Sequence, residues 1–191
     1  MSRLFLIRHG ESAANKDRAV YFSVMDHEIP LTDLGQAQAT ECGQKLKNLI
    51  NGSKTSVFVS PYRRTRETWQ GIKKELGDLS LAESENPLLR EQEYKIFADE
   101  QEVLLKKQER EAFGPFFYRY KNAESTADVY LRVQTFVNYL ILKKLSGQLR
   151  DNVVIVAHEV VLRMFLMILD NLSHEKAKVD IRNCEIIERD I

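Results

Sequence analysis

The segment LFLIRHGESAAN, residues 4–15, sets four consecutive apolar side chains against Arg8, His9 and Gly10, with Glu11, Ser12 and Asn15 behind them. A short unbroken apolar run is the pattern of a strand buried on both faces, as in a parallel sheet covered by helices. Two further runs repeat the arrangement. Residues 57–59 lead into Ser60-Pro61-Tyr62-Arg63-Arg64, and residues 153–157 lead directly into His158. Helical spacing fills the intervals. Thr32 is a suitable N-cap for a helix over 33–50, closed by Asn51-Gly52. Ser60-Pro61 reads as the start of a second helix, with proline in its first turn. Ser125 and Asp128 form an acidic capping box for a helix reaching about 145, and 160–169 reads as a buried helix. Residues 16–31 read as a loop, 79–98 as a short strand with a long loop, 99–112 as a solvated helix and 184–187 as a last strand.

Alternating strands and helices predict an α/β fold, with helices on a mostly parallel central sheet. In such sheets ligands bind beyond the carboxyl ends of the strands. Arg8 and His9, the arginines at 63 and 64, and His158 all fall at those ends, so one edge gathers guanidinium and imidazole groups.

Composition narrows the remaining choices. The chain has 191 residues, 43% hydrophobic and 29% charged, consistent with one domain holding a sizeable core. Lys+Arg and Asp+Glu both number 28, which excludes a global basic field for nucleic acid. The most apolar window, 153–169, is interrupted by His158, Glu159 and Arg163, against the roughly 20 apolar residues of a membrane span. The N-terminal apolar run is too short for a signal peptide. Cys42 and Cys184 match neither a CxxC nor a zinc spacing, and reduced thiols in a cytoplasmic protein are expected.

Two arginines and a helix N-terminus make an anion site, and the forked donors of a guanidinium suit phosphate. A neutral imidazole in that site is a nucleophile able to form a phosphoenzyme. An acid must then protonate the leaving oxygen. Arginines and a protonated histidine suffice to carry the charge that develops on the phosphoryl oxygens, without a metal.

The residues Arg8-His9-Gly10-Glu11-Ser12 with Asn15 resemble the signature of the histidine phosphatase (phosphoglycerate mutase-like) superfamily. The likeness continues through Pro30-Leu31-Thr32 with Gly35 and Ala37, Ser60-Pro61-Tyr62-Arg63-Arg64-Thr65-Arg66-Glu67-Thr68, and Leu89-Arg90-Glu91. It ends with Glu124-Ser125 and Arg132, and residues 154–158. The resemblance implies a three-layer α/β/α sandwich, a single phosphoglycerate mutase-like domain over 1–191, with a helical and loop elaboration around 92–124. It implies His9 as the phosphorylated nucleophile and Arg8, Arg64 and His158 as the phosphoryl clamp. Its spacing selects Arg64 over Arg63 and Arg66. Glu91 would be proton donor and then base for water, and Asn15 a secondary phosphate ligand. Neither metal nor cofactor is implied.

Three positions depart from the family pattern: Glu159 and Lys95 stand where glycine is usual, and Ala123 where glycine is common. Glu159 either turns away, offering only its N–H, or faces the pocket and repels phosphate. Like charges ~5 Å apart cost about 3 kcal/mol at an effective dielectric near 20, roughly a hundredfold in affinity or rate. The expected activity is hydrolysis of a phosphomonoester. The alternatives are a phosphoglycerate mutase-type transfer, which the short chain disfavours, and a phosphate-binding pseudo-phosphatase. Expected partners are a phosphorylated small molecule or a phosphoprotein, with no nucleic acid and no membrane; a homodimer stays open. His27 and His174 read as solvent-facing, and the aromatic cluster 116–120 as packing or as a wall of the site's mouth.

Overall fold

The computed structural model describes residues 2–94, 100–177 and 179–191. Lys95 lies outside the described residues. Five strands form one sheet: β1 (Arg3–Arg8), β2 (Thr55–Val59), β3 (Leu81–Glu85), β4 (Asn152–Ala157) and β5 (Ile186–Asp190). Their order is β3-β2-β4-β1-β5. β1, β2, β3 and β4 run parallel, and β5 pairs antiparallel with β1. The described helices are α1 (Ala13–Lys16), α2 (Asp33–Ile50), α3 (Arg63–Leu76), α4 (Glu100–Phe113), α5 (Thr126–Leu145) and α6 (Glu159–Leu169).

The two-residue period of the strands sorts their side chains between two helical layers. Leu4, Leu6, Phe58, Val153, Ile155 and Ala157 pack with α5 and α6. Phe5, Ile7, Val57, Val59, Val154 and Val156 pack with α2 and α3. The register puts Leu6 and Phe58 on either side of Ile155, so each face is a continuous apolar surface. Each of the buried Val, Leu, Ile and Phe side chains among them contributes roughly 1.5–3 kcal/mol. The result is the α/β/α sandwich with a mostly parallel sheet.

Helix ends follow the sequence closely where a cap is present. The Thr32 hydroxyl accepts from the Gly35 N–H, and Ser125 and Asp128 cap each other's backbone. Asn51 closes α2 in the left-handed region at φ 44°. Ser60-Pro61 is different: α3 begins at Arg63, with Tyr62 as an N-cap that makes no side-chain bond. The Ser60 hydroxyl is already paired with His158, and the Ser60 N–H bonds to the Val156 carbonyl. The stretch 16–31 holds two 3-10 turns, Arg18–Phe22 and Asp26–Glu28, in place of the expected plain loop. The last strand starts later than expected. Cys184 sits at φ 55° and gives its N–H to the Arg8 carbonyl, so pairing with β1 begins only at Ile186, opposite Ile7. β3 is an edge strand, and its carboxylates face α3: Glu83 meets Lys73 and Trp69, and Glu85 meets Arg66.

Candidate active site

The parallel strands end on the same side, and the residues just beyond them meet there. His9 leaves β1 with its N–H bonded to the Ala157 carbonyl, while its own carbonyl accepts from Asn183 Nδ2 at 2.9 Å. Gly10 gives its N–H to Thr68 Oγ1 at 3.0 Å, and that hydroxyl donates to the Arg64 carbonyl at 2.7 Å. Gly10 and Gly35 lie back to back: a Cβ on Gly10 would stand 2.5 Å from the Gly35 carbonyl oxygen, and one on Gly35 2.1 Å from that of Glu11. Only glycine permits this approach.

His9 Nδ1 lies 2.7 Å from the Gly10 carbonyl. A carbonyl only accepts, so Nδ1 carries the proton and Nε2 presents its lone pair. Burial, then the nearby Arg64 and Arg8 charges, hold the ring well below its ordinary pKa, against the pull of the Gly10 carbonyl. The imidazole is therefore neutral at pH 7. The His158 ring centroid is 5.3 Å away at an interplanar angle of 61°. His158 Nε2 meets Ser60 Oγ at 2.7 Å, and Tyr62 packs against the ring at 5.0 Å. Burial, with Arg64 and His9 next in weight, depresses the His158 pKa as well.

Arg64 is 2% exposed, lies over the Tyr62 ring, and gives Nη1 to the Asp26 carbonyl at 2.6 Å and the Asp26 carboxylate at 2.8 Å. Its neighbours do otherwise. Arg63 pairs with Glu67 and Arg66 with Glu85, and both arginine side chains are about half exposed. Arg8 gives Nη1 to the Ile181 carbonyl at 2.5 Å, and its Nη2 stands 3.3 Å from Glu159. Among the described residues, Arg8 Nε and His158 Nδ1 are the buried side-chain polar atoms that have no hydrogen-bond partner.

Glu91 enters from the segment after β3. Its Oε2 is 4.0 Å from His158 Nδ1, and its Oε1 accepts from the Gln92 N–H at 2.9 Å. Burial pushes its pKa up to about 7 despite the opposing pull of Arg64 and the Gln92 N–H. The loop is held from behind. Arg132 donates to the Glu91 and Leu88 carbonyls and to both oxygens of the buried Glu124, which also receives Arg90. Gln92, 1% exposed, donates to the Glu124 carbonyl.

Arg8, His9, Arg64, Glu91 and His158 thus share one locale. Asn15 stands differently: its side-chain oxygen accepts from the Ser12 N–H and hydroxyl, closing the cap of α1, and lies 3.4 Å from Asn183 Nδ2. Glu159 turns one carboxylate oxygen toward Arg8 and the other onto Arg163. His174 is not simply solvent-facing; it packs on Phe116 at 5.0 Å. Two supporting residues have no signal in a single sequence: Asp26 on Arg64 and Asn183 on His9. Ser60, the partner of His158, lies inside a motif of the family resemblance but reads there as a helix start.

The family model described as the histidine phosphatase superfamily (branch 1) matches residues 4–191. The chain belongs to this superfamily. Among its relatives, the phosphoglycerate mutase-like protein AT74H of Arabidopsis thaliana is 37% identical over 180 residues, covering 86% of this chain and 64% of the relative. The broad-range acid phosphatase DET1 of Saccharomyces cerevisiae is 24% identical over 257 residues, covering 86% and 77%. The chain spans about three fifths of the length of AT74H and of its homologue AT74. A mycobacterial glucosyl-3-phosphoglycerate phosphatase, solved with VO3, shares the superfamily fold at a TM-score of 0.76 and 21% identity, over 98% of this chain and 90% of that one.

Proposed function

We propose that the protein is a phosphatase that hydrolyses a phosphomonoester through a phosphohistidine on His9, with no metal in the chemical step. The observation that carries this reading is the pair of unpartnered buried atoms, Arg8 Nε and His158 Nδ1, beside a neutral His9 and the carboxyl of Glu91.

The phosphoryl oxygens take the Arg8 and Arg64 guanidiniums and His158. A phosphate dianion there favours the imidazolium form of His158, opposing the shift that burial and Arg64 impose. His9 Nε2 attacks phosphorus in line as the P–O bond to the leaving group breaks. Glu91, protonated near neutrality, gives its proton to the leaving oxygen. The resulting carboxylate then takes a proton from water, whose oxygen attacks phosphorus as the P–N bond breaks and neutral His9 returns. Asp26, Thr68 and Asn183 hold Arg64, Gly10 and His9 in place for this. The expected substrate is a phosphorylated small molecule or phosphoprotein.

Phosphate release from p-nitrophenyl phosphate, with trapping of a ³²P-labelled enzyme that is acid-labile and alkali-stable, tests the reading. Equal release by wild type and His9→Ala would refute it. A mutase of the phosphoglycerate type uses the same first step, and interconversion of 2- and 3-phosphoglycerate without phosphate release would replace hydrolysis by transfer. Glu159 against Arg8 favours one second reading, a phosphate-binding protein without turnover. That reading gains if wild type binds inorganic phosphate but no phosphoenzyme forms.

A further inference from the structure

Beside the candidate catalytic residues lies a chamber of about 500 Å³, half open to solvent, between the end of α4, the turn after it, α6 and residues 174–177; none of Arg8, His9, Arg64, Glu91 and His158 lines it. That volume suits a small organic ligand. Phe116 and Met164 give it an apolar wall, and Arg110 and Arg163 bring nitrogen donors, while His174 Nε2 lies 3.2 Å from Glu175 Oε1. The acids Glu111 and Glu175 also border it, but both are exposed, whereas the two arginines are half-buried. The half-buried charges of the lining are thus the two guanidiniums, beside the apolar wall, which fits a flat carboxylate.

Arg163 ties this chamber to the phosphoryl clamp. Its Nε donates to the Val179 carbonyl at 2.7 Å and its Nη2 to Glu159, whose other oxygen faces Arg8 Nη2 at 3.3 Å. Glycine, usual at position 159, has no such link. Two guanidiniums share one carboxylate. An anion arriving on Arg8 leaves Glu159 with Arg163, and an anion arriving on Arg163 leaves it with Arg8. Two arriving anions leave Glu159 with neither, among charges only partly screened by solvent.

We infer that the chamber is an effector site for an aromatic carboxylate, coupled negatively through Glu159 to phosphate binding at Arg8. The inference rests on the reading of Arg8 as part of the phosphoryl clamp. Coupling of this kind is reciprocal and saturates, unlike competition for a single site.

Isothermal titration of inorganic phosphate at fixed benzoate concentrations tests it without requiring turnover. Wild type is expected to bind benzoate saturably and to show a phosphate Kd that rises about tenfold to a plateau. Glu159→Gln keeps benzoate binding but holds the rise under about twofold. Arg163→Leu loses benzoate and binds phosphate as weakly as benzoate-saturated wild type, because Glu159 then has Arg8 alone. A Kd that climbs in proportion to benzoate without a plateau, no saturable benzoate binding, or an unchanged plateau in Glu159→Gln overturns the coupling. Normal phosphate binding accompanies each of those failures. Benzoate binding without any phosphate binding would instead overturn the clamp reading and the coupling with it.

Discussion

The two histidines stand on very different mounts. Around His9 the backbone is fixed in every direction: Ala157 holds its N–H, Asn183 its carbonyl, Thr68 the next N–H, and Cys184 the carbonyl of Arg8. The Gly10–Gly35 contact leaves no room for adjustment. Around His158 the carbonyl takes the Leu162 N–H at the start of α6, the ring is held by the side chains of Ser60 and Tyr62, and the residue that follows is a glutamate shared between two arginines. One end of the site sets geometry and the other sets charge. On the proposed reading His9 is a nucleophile that must be aimed, since an ångström of misplacement is costly, whereas the charge around the proposed clamp is tunable by one substitution.

The contrast is broken most severely at His9. Alanine there is expected to lower kcat by about 10⁴-fold or more while circular dichroism stays unchanged, and a smaller loss would mean that another group takes the phosphoryl. Next comes Glu91→Gln, expected to cost about 10³-fold in kcat. Because the wild-type carboxyl titrates near 7, hydrolysis should fall as pH rises through 7, and that limb should vanish in the variant. The sign for stability follows from the same shift. Below the unfolded pKa of about 4.3 the carboxyl is protonated in both states. As pH rises toward 7 the unfolded chain ionises first, so wild type loses stability that Glu91→Gln keeps; denaturant titrations at pH 5 and 8 measure the difference.

Gly35→Ala probes the rigid mount itself. Its Cβ meets a backbone oxygen that has nowhere to go, and a destabilisation of about 2–3 kcal/mol in urea unfolding is expected. The smallest effect belongs to the tunable end. Glu159→Gly removes the carboxylate from Arg8 and should tighten inorganic phosphate about tenfold, with no change in melting temperature beyond a few degrees. A tenfold weakening instead would make Glu159 a positioning group for Arg8.

Legibility from the sequence follows the same division. The apolar runs before His9 and His158, and the capped helices over 33–50 and after Ser125, are local patterns with one dominant physical cause, so they translate directly into β1, β4, α2 and α5. Ser60-Pro61 misled because its hydroxyl had two possible uses, and a histidine 98 residues away took it rather than the helix end. Asp26 and Asn183 act on partners 38 and 174 residues distant and carry no spacing of their own. The chamber was legible only as aromatic residues at 116–120, since its arginines come from α4 and α6. Glu159 stood out at once as a departure, but its orientation, and hence its bond to Arg163, required coordinates.

The outer strand β3 has a consequence for how the molecule behaves among its own copies. Among the described residues no strand pairs with the outer side of its run Leu-Ala-Glu-Ser-Glu, and such a side is a template for strand addition by an extended chain. Glu83 and Glu85, engaged by Lys73, Trp69 and Arg66, hold carboxylates beside that border, where a neighbouring apolar strand would have to strip them of water. The same pairs that pin α3, and with it Arg64, to the sheet therefore also guard the border against edge-to-edge aggregation.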